Sequence, residues 1–234
     1  MAALGIIGGI APGSTIEYYR LVIERYRRAA DGRYPSVLIN SIDLSRLLQL
    51  AAEHDRTPLV RYLATEVDRL VQAGADFALF ASNTPHVVFD EVAGQAAIPL
   101  LSIVEAAARA AKARRFERLG LLGTRFTMEG GTYQSVFART GMTVLLPDDA
   151  DRTWLHEAYV TELVNGEFRE ETRRRIHDLI ARLRQGAGVD SVILGGTELP
   201  LLLRCEDVGG VPLLDTTSIH VDAAVSELLS REGR

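Results

Sequence analysis

The sequence is poor in cysteine, in excess positive charge and in long hydrophobic runs, and each shortage excludes a class of protein. Cys205 is the one cysteine among 234 residues, so neither an internal disulfide nor a cysteine-rich metal site can form. Acidic residues outnumber basic ones by 31 to 26, which argues against a nucleic-acid-binding face. The chain lacks an apolar run of about 18 residues, and its N-terminal apolar stretch lacks the basic segment of a secretory signal. We therefore expect a cytoplasmic protein that does not bind membranes.

Short apolar runs alternate along the chain with longer amphipathic segments. This pattern predicts an α/β fold in which parallel-type sheets are flanked by helices. The expected strands are Leu4–Ile7, Ser36–Asn40, Phe77–Phe80, Leu100–Ile103, Leu119–Leu122, Met142–Leu146, Ser191–Leu194 and Leu213–Leu214. The clearest helical segments are Ser14–Ala30, Thr57–Ala73 and Glu170–Gln185. Ser14 and Glu17 have the spacing of a capping box at the start of the first helix.

Three segments of the first half recur in the second half at nearly constant separation. The pairs are LGIIG from Leu4 with LGLLG from Leu119, DFALFASNT from Asp76 with DSVILGGTE from Asp190, and IPLLS from Ile98 with VPLLD from Val211. The separations are 115, 114 and 113 residues. We predict two pseudo-symmetric α/β domains, residues 1–104 and 105–222, followed by residues 223–234 as a helix end and tail. In open parallel sheets, ligands bind beyond the carboxyl ends of the strands, so we expect an active-site cleft between the two domains.

The loops expected at these strand ends are rich in Gly, Ser, Thr and Asn, at residues 8–15, 81–86, 123–128 and 195–200. Their hydroxyl and backbone N–H donors suit the oxygens of a carboxylate. The first loop, GGIAPG, lacks the G-x-G-x-x-G spacing of dinucleotide-binding loops. Ser82 and Gly196 occupy equivalent positions in the two halves, the arrangement that proton transfer between two opposed groups requires.

Five longer segments carry a more specific signal. They are residues 5–22 (GIIGGIAPGSTIEYYRLV), 82–86 (SNTPH), 120–133 (GLLGTRFTMEGGTY), 194–203 (LGGTELPLLL) and 211–225 (VPLLDTTSIHVDAAV). In this order and spacing they resemble the aspartate/glutamate racemase family over nearly the whole chain. The resemblance implies a cofactor-independent, often dimeric enzyme that moves the proton beside the carboxylate of a small acid or amino acid. The superfamily also includes isomerases and decarboxylases.

The chain departs from that family at the two positions where a typical member carries a catalytic thiol. These positions are Ser82, before the Asn-Thr of the first half, and Gly196, before the Thr-Glu of the second half. Serine is a much weaker acid than cysteine and glycine has no side chain, so racemisation between two thiols is excluded here. The space left at Gly196 is expected to admit a bulkier substrate.

Three interpretations of these departures stay open. The protein could be an isomerase or lyase (a decarboxylase, for example) with changed chemistry. It could be a true amino-acid racemase that uses other bases. It could also be a non-catalytic protein that binds small carboxylates on a racemase scaffold.

The candidate site residues fall into two groups. The catalytic candidates are Ser82, Glu198, whose burial would raise its pKa, and His86, whose imidazole titrates near neutrality. The substrate-binding candidates are Asn83, Thr84, Thr124, Thr127, Gly196, Thr197, Arg46 and Arg56. His220 and Arg125 are weaker candidates, and Cys205 is expected to be structural. The histidines lack metal-ligand spacing, so we expect no metal. The resemblance implies that no cofactor is needed. The expected partners are a small carboxylate or amino-acid substrate and a second copy of the chain.

Overall fold

The computed structural model describes residues 2–233 and divides them into two compact units. Unit 1 comprises residues 2–103 together with residues 217–233, and unit 2 comprises residues 104–216. Each unit is built around its own sheet, in which parallel pairing predominates. The predicted α/β class, with two parallel-type sheets flanked by helices, is confirmed. The predicted cleft stays a prediction.

The strands of unit 1 are β1 (Ala3–Gly8), β2 (Ser36–Ser41), β3 (Phe77–Phe80) and β4 (Leu100–Leu101). Those of unit 2 are β5 (Arg118–Gly123), β6 (Thr143–Leu145), β7 (Ser191–Gly195), β8 (Asp207–Val208) and β9 (Val211–Asp215). The strand orders are β2-β1-β3-β4 and β6-β5-β7-β9-β8, with β8 antiparallel to β9 and all other pairs parallel. Every residue of β1, β3 and β7 is buried, as expected for parallel strands covered on both faces.

The helices are α1 (Pro12–Ala29), α2 (Leu44–Ala51), α3 (Thr57–Gln72), α4 (Phe89–Ala93), α5 (Ile103–Ala113), α6 (Arg125–Glu129), α7 (Thr132–Ala138), α8 (Asp149–Thr161), α9 (Glu170–Ala187), α10 (Leu199–Leu203) and α11 (Thr216–Glu232). Two short 3₁₀ helices cover Thr84–Val88 and Leu163–Asn165. Among residues 2–233, the helices include none that is both long and apolar enough to cross a membrane.

The internal repeat extends to the register of the strands. Leu4 pairs with Phe77 between β1 and β3, and Leu119 pairs with Ser191 between β5 and β7. These residues are related by the same separations of 115 and 114 that the sequence shows. The repeated segments therefore form the same part of each sheet, and the loops that follow them leave equivalent strand ends.

The predicted capping box at the start of α1 is wrong. The helix begins at Pro12, after Ala11 with a φ of 52°, and Ser14 is buried within the first turn. Proline suits the first turn of a helix because its fixed φ is helical and its missing N–H has no partner there. Glu17 forms an ion pair with Arg20 at 2.7 Å.

One predicted strand limit needs correction, and one short strand was missed. The strand expected over Leu100–Ile103 ends at Leu101, because Ile103 already begins α5. The two-residue strand β8 was not expected, since a strand of two residues is too short to show an alternating pattern.

The last helix differs from its predicted place. α11 is continuous from Thr216 to Glu232, so no boundary falls at residue 222, and from Thr217 onward its residues belong to unit 1. Val221 and Leu228 of α11 lie in one buried cluster with Tyr18 and Val22 of α1 and with inward residues of β1 and β3. The apolar stripe of α11 therefore covers a face of the first sheet and is part of the core.

This placement predicts that Leu228→Ala lowers the free energy of unfolding by about 3 kcal/mol, because it removes a fully buried side chain from the cluster and leaves a cavity. Urea unfolding followed by circular dichroism measures the change. The control is Ser226→Ala on the exposed side of the same helix, with an expected change within about 0.5 kcal/mol. Equal effects of the two substitutions would contradict the packing of α11.

Candidate functional site

The loop after β3 brings three of the predicted residues together in unit 1. Ser82, Asn83 and Thr84 follow the carboxyl end of this inner strand and are all buried. The Thr84 amide donates to Ser82 Oγ at 3.4 Å, and the His86 amide donates to the Asn83 carbonyl at 3.0 Å. Polar side chains are thus held at this sheet edge by local turns. The hydrogen bond from Thr84 gives Ser82 a bracing contact within its own loop.

His86 lies in the 3₁₀ helix that follows and is buried. Its Nε2 accepts a hydrogen bond from the Ile103 amide at 3.1 Å, and its ring stacks on Phe89 with centroids 4.9 Å apart. Burial, and to a smaller extent the neighbouring His220, lower the pKa of His86 to about 3. The imidazole is therefore neutral at physiological pH with its acceptor nitrogen already engaged. This geometry joins the loop to the start of α5 and does not favour His86 as a base.

His220 has a similar bracing position in unit 1. Its Nδ1 lies 3.0 Å from the Tyr18 hydroxyl and its Nε2 lies 3.1 Å from the Leu101 carbonyl. With Nε2 as donor and Nδ1 as acceptor, one neutral tautomer satisfies both contacts. His220 thereby ties α11 to α1 and to the end of β4.

The two predicted arginines of unit 1 are exposed and differ in their contacts. Arg56 Nη1 donates to the Val87 carbonyl at 2.7 Å, which joins it to the 3₁₀ helix carrying His86. Arg46 donates to Gln49 on its own helix at 3.0 Å. The structure therefore brings Arg56 to the loop after β3 and gives Arg46 a local contact on α2.

The loop after β5 places two predicted threonines of unit 2 side by side. Thr124 caps α6 by accepting from the Thr127 amide at 3.3 Å, and the two hydroxyls lie 3.2 Å apart. Arg125, between them, forms ion pairs with Glu129 at 3.2 Å and Asp149 at 3.3 Å. The hydroxyl pair lies at the strand end, whereas Arg125 takes part in a local ion-pair network.

The loop after β7 contains Gly196, Thr197 and Glu198, all buried. Glu198 Oε2 accepts hydrogen bonds from the hydroxyl of Tyr159 on α8 and from the hydroxyl of Thr197, the latter at 3.1 Å. The Glu198 amide donates back to the Tyr159 oxygen at 3.2 Å. Burial first, and then the charge of Glu198, raise the pKa of Tyr159 well above its ordinary value. Tyr159 is therefore a protonated phenol that holds a buried carboxylate.

The expected open space at Gly196 is wrong. A Cβ placed on this glycine would lie 2.5 Å from both Oη and Cε2 of Tyr159, closer than real Cβ contacts. The tyrosine ring occupies the space that a side chain at position 196 would need. Tyr159 was missed in the sequence because it belongs to no motif. The sequence holds one indirect signal. Gly196 stands where a typical family member has a side chain, so a neighbouring side chain can fill the vacated volume.

The remaining thiol does not have the properties of a nucleophile. Cys205 is exposed, and partial desolvation with the negative charge of Asp207 raises the pKa of its thiol. Within the described residues 2–233, the His, Cys, Asp and Glu side chains form no group of three that could hold a metal ion.

The fold and the strand-end loops define an α/β protein of two similar units with buried polar groups at equivalent strand ends. The family model for Asp/Glu/hydantoin racemase matches residues 7–224, so the chain belongs to that family. The broad specificity amino-acid racemase RacX of Bacillus subtilis is 23% identical over 231 residues, covering 97% of this chain and 98% of RacX.

Solved structures agree with this assignment. A candidate Asp/Glu racemase from Yersinia pestis is 35% identical, with a TM-score of 0.87 over 98% of this chain and 100% of that chain. An aspartate racemase homologue from Pyrococcus horikoshii OT3 is 34% identical, with a TM-score of 0.82 over 98% and 100% of the two chains. At the level of enzyme class, the homologues imply an isomerase of the racemase type.

The contact between Gly196 and Tyr159 predicts that Gly196→Ala lowers the free energy of unfolding by about 2 kcal/mol, because the added methyl overpacks against the ring. In a Tyr159→Ala background the same substitution should cost less than about 1 kcal/mol, since the clash is gone. Urea unfolding of the four proteins of this double-mutant cycle gives the coupling energy. Additive effects would contradict the contact.

The lowered pKa of His86 predicts acid sensitivity. Unfolded histidine binds a proton below pH 6.5, whereas folded His86 stays neutral until about pH 3, so acid favours the unfolded state between these values. Between pH 7.5 and pH 5, wild type should lose about 2 kcal/mol more stability than His86→Gln, which keeps an acceptor for the Ile103 amide without titrating. Urea unfolding at the two pH values tests this. Equal losses would show that His86 is not buried in its neutral form.

Proposed function

We propose that this protein is a cofactor-independent isomerase or lyase that acts at the carbon beside the carboxylate of a small acid or amino acid. The observation that carries the proposal is the combination of polar, buried or half-buried loops after β3, β5 and β7 with Ser82 and Gly196 at the two thiol positions. The loops supply what binding a carboxylate needs, and the two substitutions remove what a two-thiol racemase needs.

Donors for a carboxylate occur at the strand ends of both units. In unit 2 the paired hydroxyls of Thr124 and Thr127 lie at the end of β5. In unit 1 the side chains of Asn83 and Thr84 are buried at the end of β3. Neutral donors of this kind stabilise the negative charge that develops on the carboxylate oxygens when the substrate becomes an enolate.

The same enolate serves several reactions, which is why the reaction type is proposed only as a class. Loss of an α-proton, or loss of carbon dioxide from a malonate-like acid, leaves an electron pair at the carbon beside a carboxylate. In an elimination, that pair then forms a double bond as a β-leaving group departs with its own bonding electrons. A single proton donor or acceptor then completes an isomerisation, a decarboxylation or an elimination. Ser82 cannot be that base alone, because its hydroxyl is weakly acidic and would need an adjacent base.

A second candidate function is binding of a small carboxylate without catalysis. The observation that favours it is the absence of a readily ionised side chain at both positions 82 and 196. In that case the strand-end hydroxyls would retain the ligand without labilising a bond.

We also propose the expected cellular context, which rests on composition and family resemblance. The protein would act as a homodimer in the cytoplasm on a small carboxylate substrate, and its net charge of −5 disfavours nucleic acid as a partner. Sedimentation equilibrium measures the oligomeric state, and a monomer would contradict this part.

Proton NMR in D2O tests the function. We expect deuterium to enter the carbon beside the carboxylate, or the acid to be consumed, with at least one of D- and L-aspartate, D- and L-glutamate, substituted malonates and maleate. Thr127→Val, which removes one hydroxyl donor, should slow this reaction by about 100-fold, whereas Ser82→Ala tests whether that hydroxyl takes part.

Cys205→Ser is the control and should react like wild type, since its thiol is exposed and not activated. Line broadening of one acid without exchange or turnover would favour the binding protein and contradict the proposed enzyme.

A further inference from the structure

We propose that Tyr159 and Glu198 form the proton relay of this site, with Tyr159 as the group that exchanges a proton with the substrate carbon. This inference rests on the proposed function and names the acid–base group that the reaction requires. Both residues belong to unit 2, at the carboxyl end of β7.

The position of the pair comes from packing between α8 and the loop after β7. Gly196 has no side chain, and the Tyr159 ring fills the space in which its Cβ would stand. An ionisable group from α8 therefore lies where residue 196 itself supplies none. By the repeat, this loop is equivalent to the loop in unit 1 that carries Ser82.

The hydrogen bonds of the phenol suit proton transfer in two directions. Its oxygen accepts from the Glu198 amide at 3.2 Å while its proton is directed at Glu198 Oε2. The same carboxylate oxygen accepts from Thr197 at 3.1 Å, which fixes its orientation. The amide bond holds the phenol in place, and the bond to Oε2 gives its proton an acceptor when the oxygen takes another from the substrate.

Removal of the substrate proton by the relay involves two proton transfers. The substrate Cα–H bond breaks, its electron pair stays on the substrate as the enolate, and the Tyr159 oxygen takes the proton. The original phenolic proton moves at the same time to Glu198 Oε2, so the pair changes from one negative charge to neutral. In reverse, the phenol protonates the enolate carbon and Glu198 returns a proton to the phenol. Phenolate, which the raised pKa disfavours, is never released.

A second tyrosine–glutamate pair in the chain provides a matched comparison. The hydroxyl of buried Tyr26 donates to Glu232 at 2.6 Å, between the last turns of α1 and α11 in unit 1. Glu232 also pairs with Arg33 at 3.0 Å, and its pKa is lowered by these partners. This pair belongs to unit 1 and the loop after β7 belongs to unit 2, so the pair serves as the control.

The test measures deuterium exchange in D2O with the acid of the panel that wild type exchanges fastest. We expect Tyr159→Phe and Glu198→Gln each to slow kcat for exchange by at least 100-fold with KM changed less than threefold. Tyr26→Phe, the control, should stay within twofold of wild type. Glu198→Gln should also abolish the rise of kcat with pH that ionisation of the carboxylate produces, a readout that a bracing role would leave unchanged.

The outcomes separate the relay from the function. Exchange within threefold of wild type in a folded Tyr159→Phe or Glu198→Gln protein overturns the relay and leaves the proposed enzyme standing. Absence of exchange and turnover in wild type overturns both. If circular dichroism shows that Tyr159→Phe does not fold, the exchange rate of Glu198→Gln tests the relay. This variant keeps the contact between the two side chains, because its amide oxygen still accepts from the phenol.

Discussion

The parallel pairing of β3 with β1, and of β7 with β5, is the interaction on which the rest of each unit depends. These strands are buried on both faces, so polar side chains can stand only where the strands end. Parallel strands end at the same sheet edge, which gathers the loops that follow them. Ser82 and Thr197 lie at such ends because a polar side chain within their own strands would be buried among apolar residues.

A second constraint lies in the packing of α8 against the loop after β7. The loop tolerates the Tyr159 ring because residue 196 is glycine, and the ring in turn supplies the hydroxyl that holds Glu198. The residues at positions 196 and 159 therefore depend on each other, although 37 residues separate them in the chain.

The buried histidines illustrate why residue type is a weak guide to function. His86 and His220 are the kind of residue that sequence analysis selects as acids or bases, yet each has both a buried ring and a backbone partner. Burial lowers the pKa of His86 and keeps its imidazole neutral, which suits a brace between elements. By contrast, Glu198 accepts a hydrogen bond from a side chain of another element, Tyr159 on α8.

The sequence by itself determined the α/β class, the internal repeat, the racemase family and the loops that carry Ser82, Asn83, Thr84, Thr197 and Glu198. These features are local or repeat at fixed separation, so periodicity and motif reveal them. Only the tertiary structure decided that α11 covers the first sheet and that Tyr159 fills the space at Gly196. Both are contacts between distant segments, set by which side chains fit a given volume, and no pattern along the chain encodes that fit.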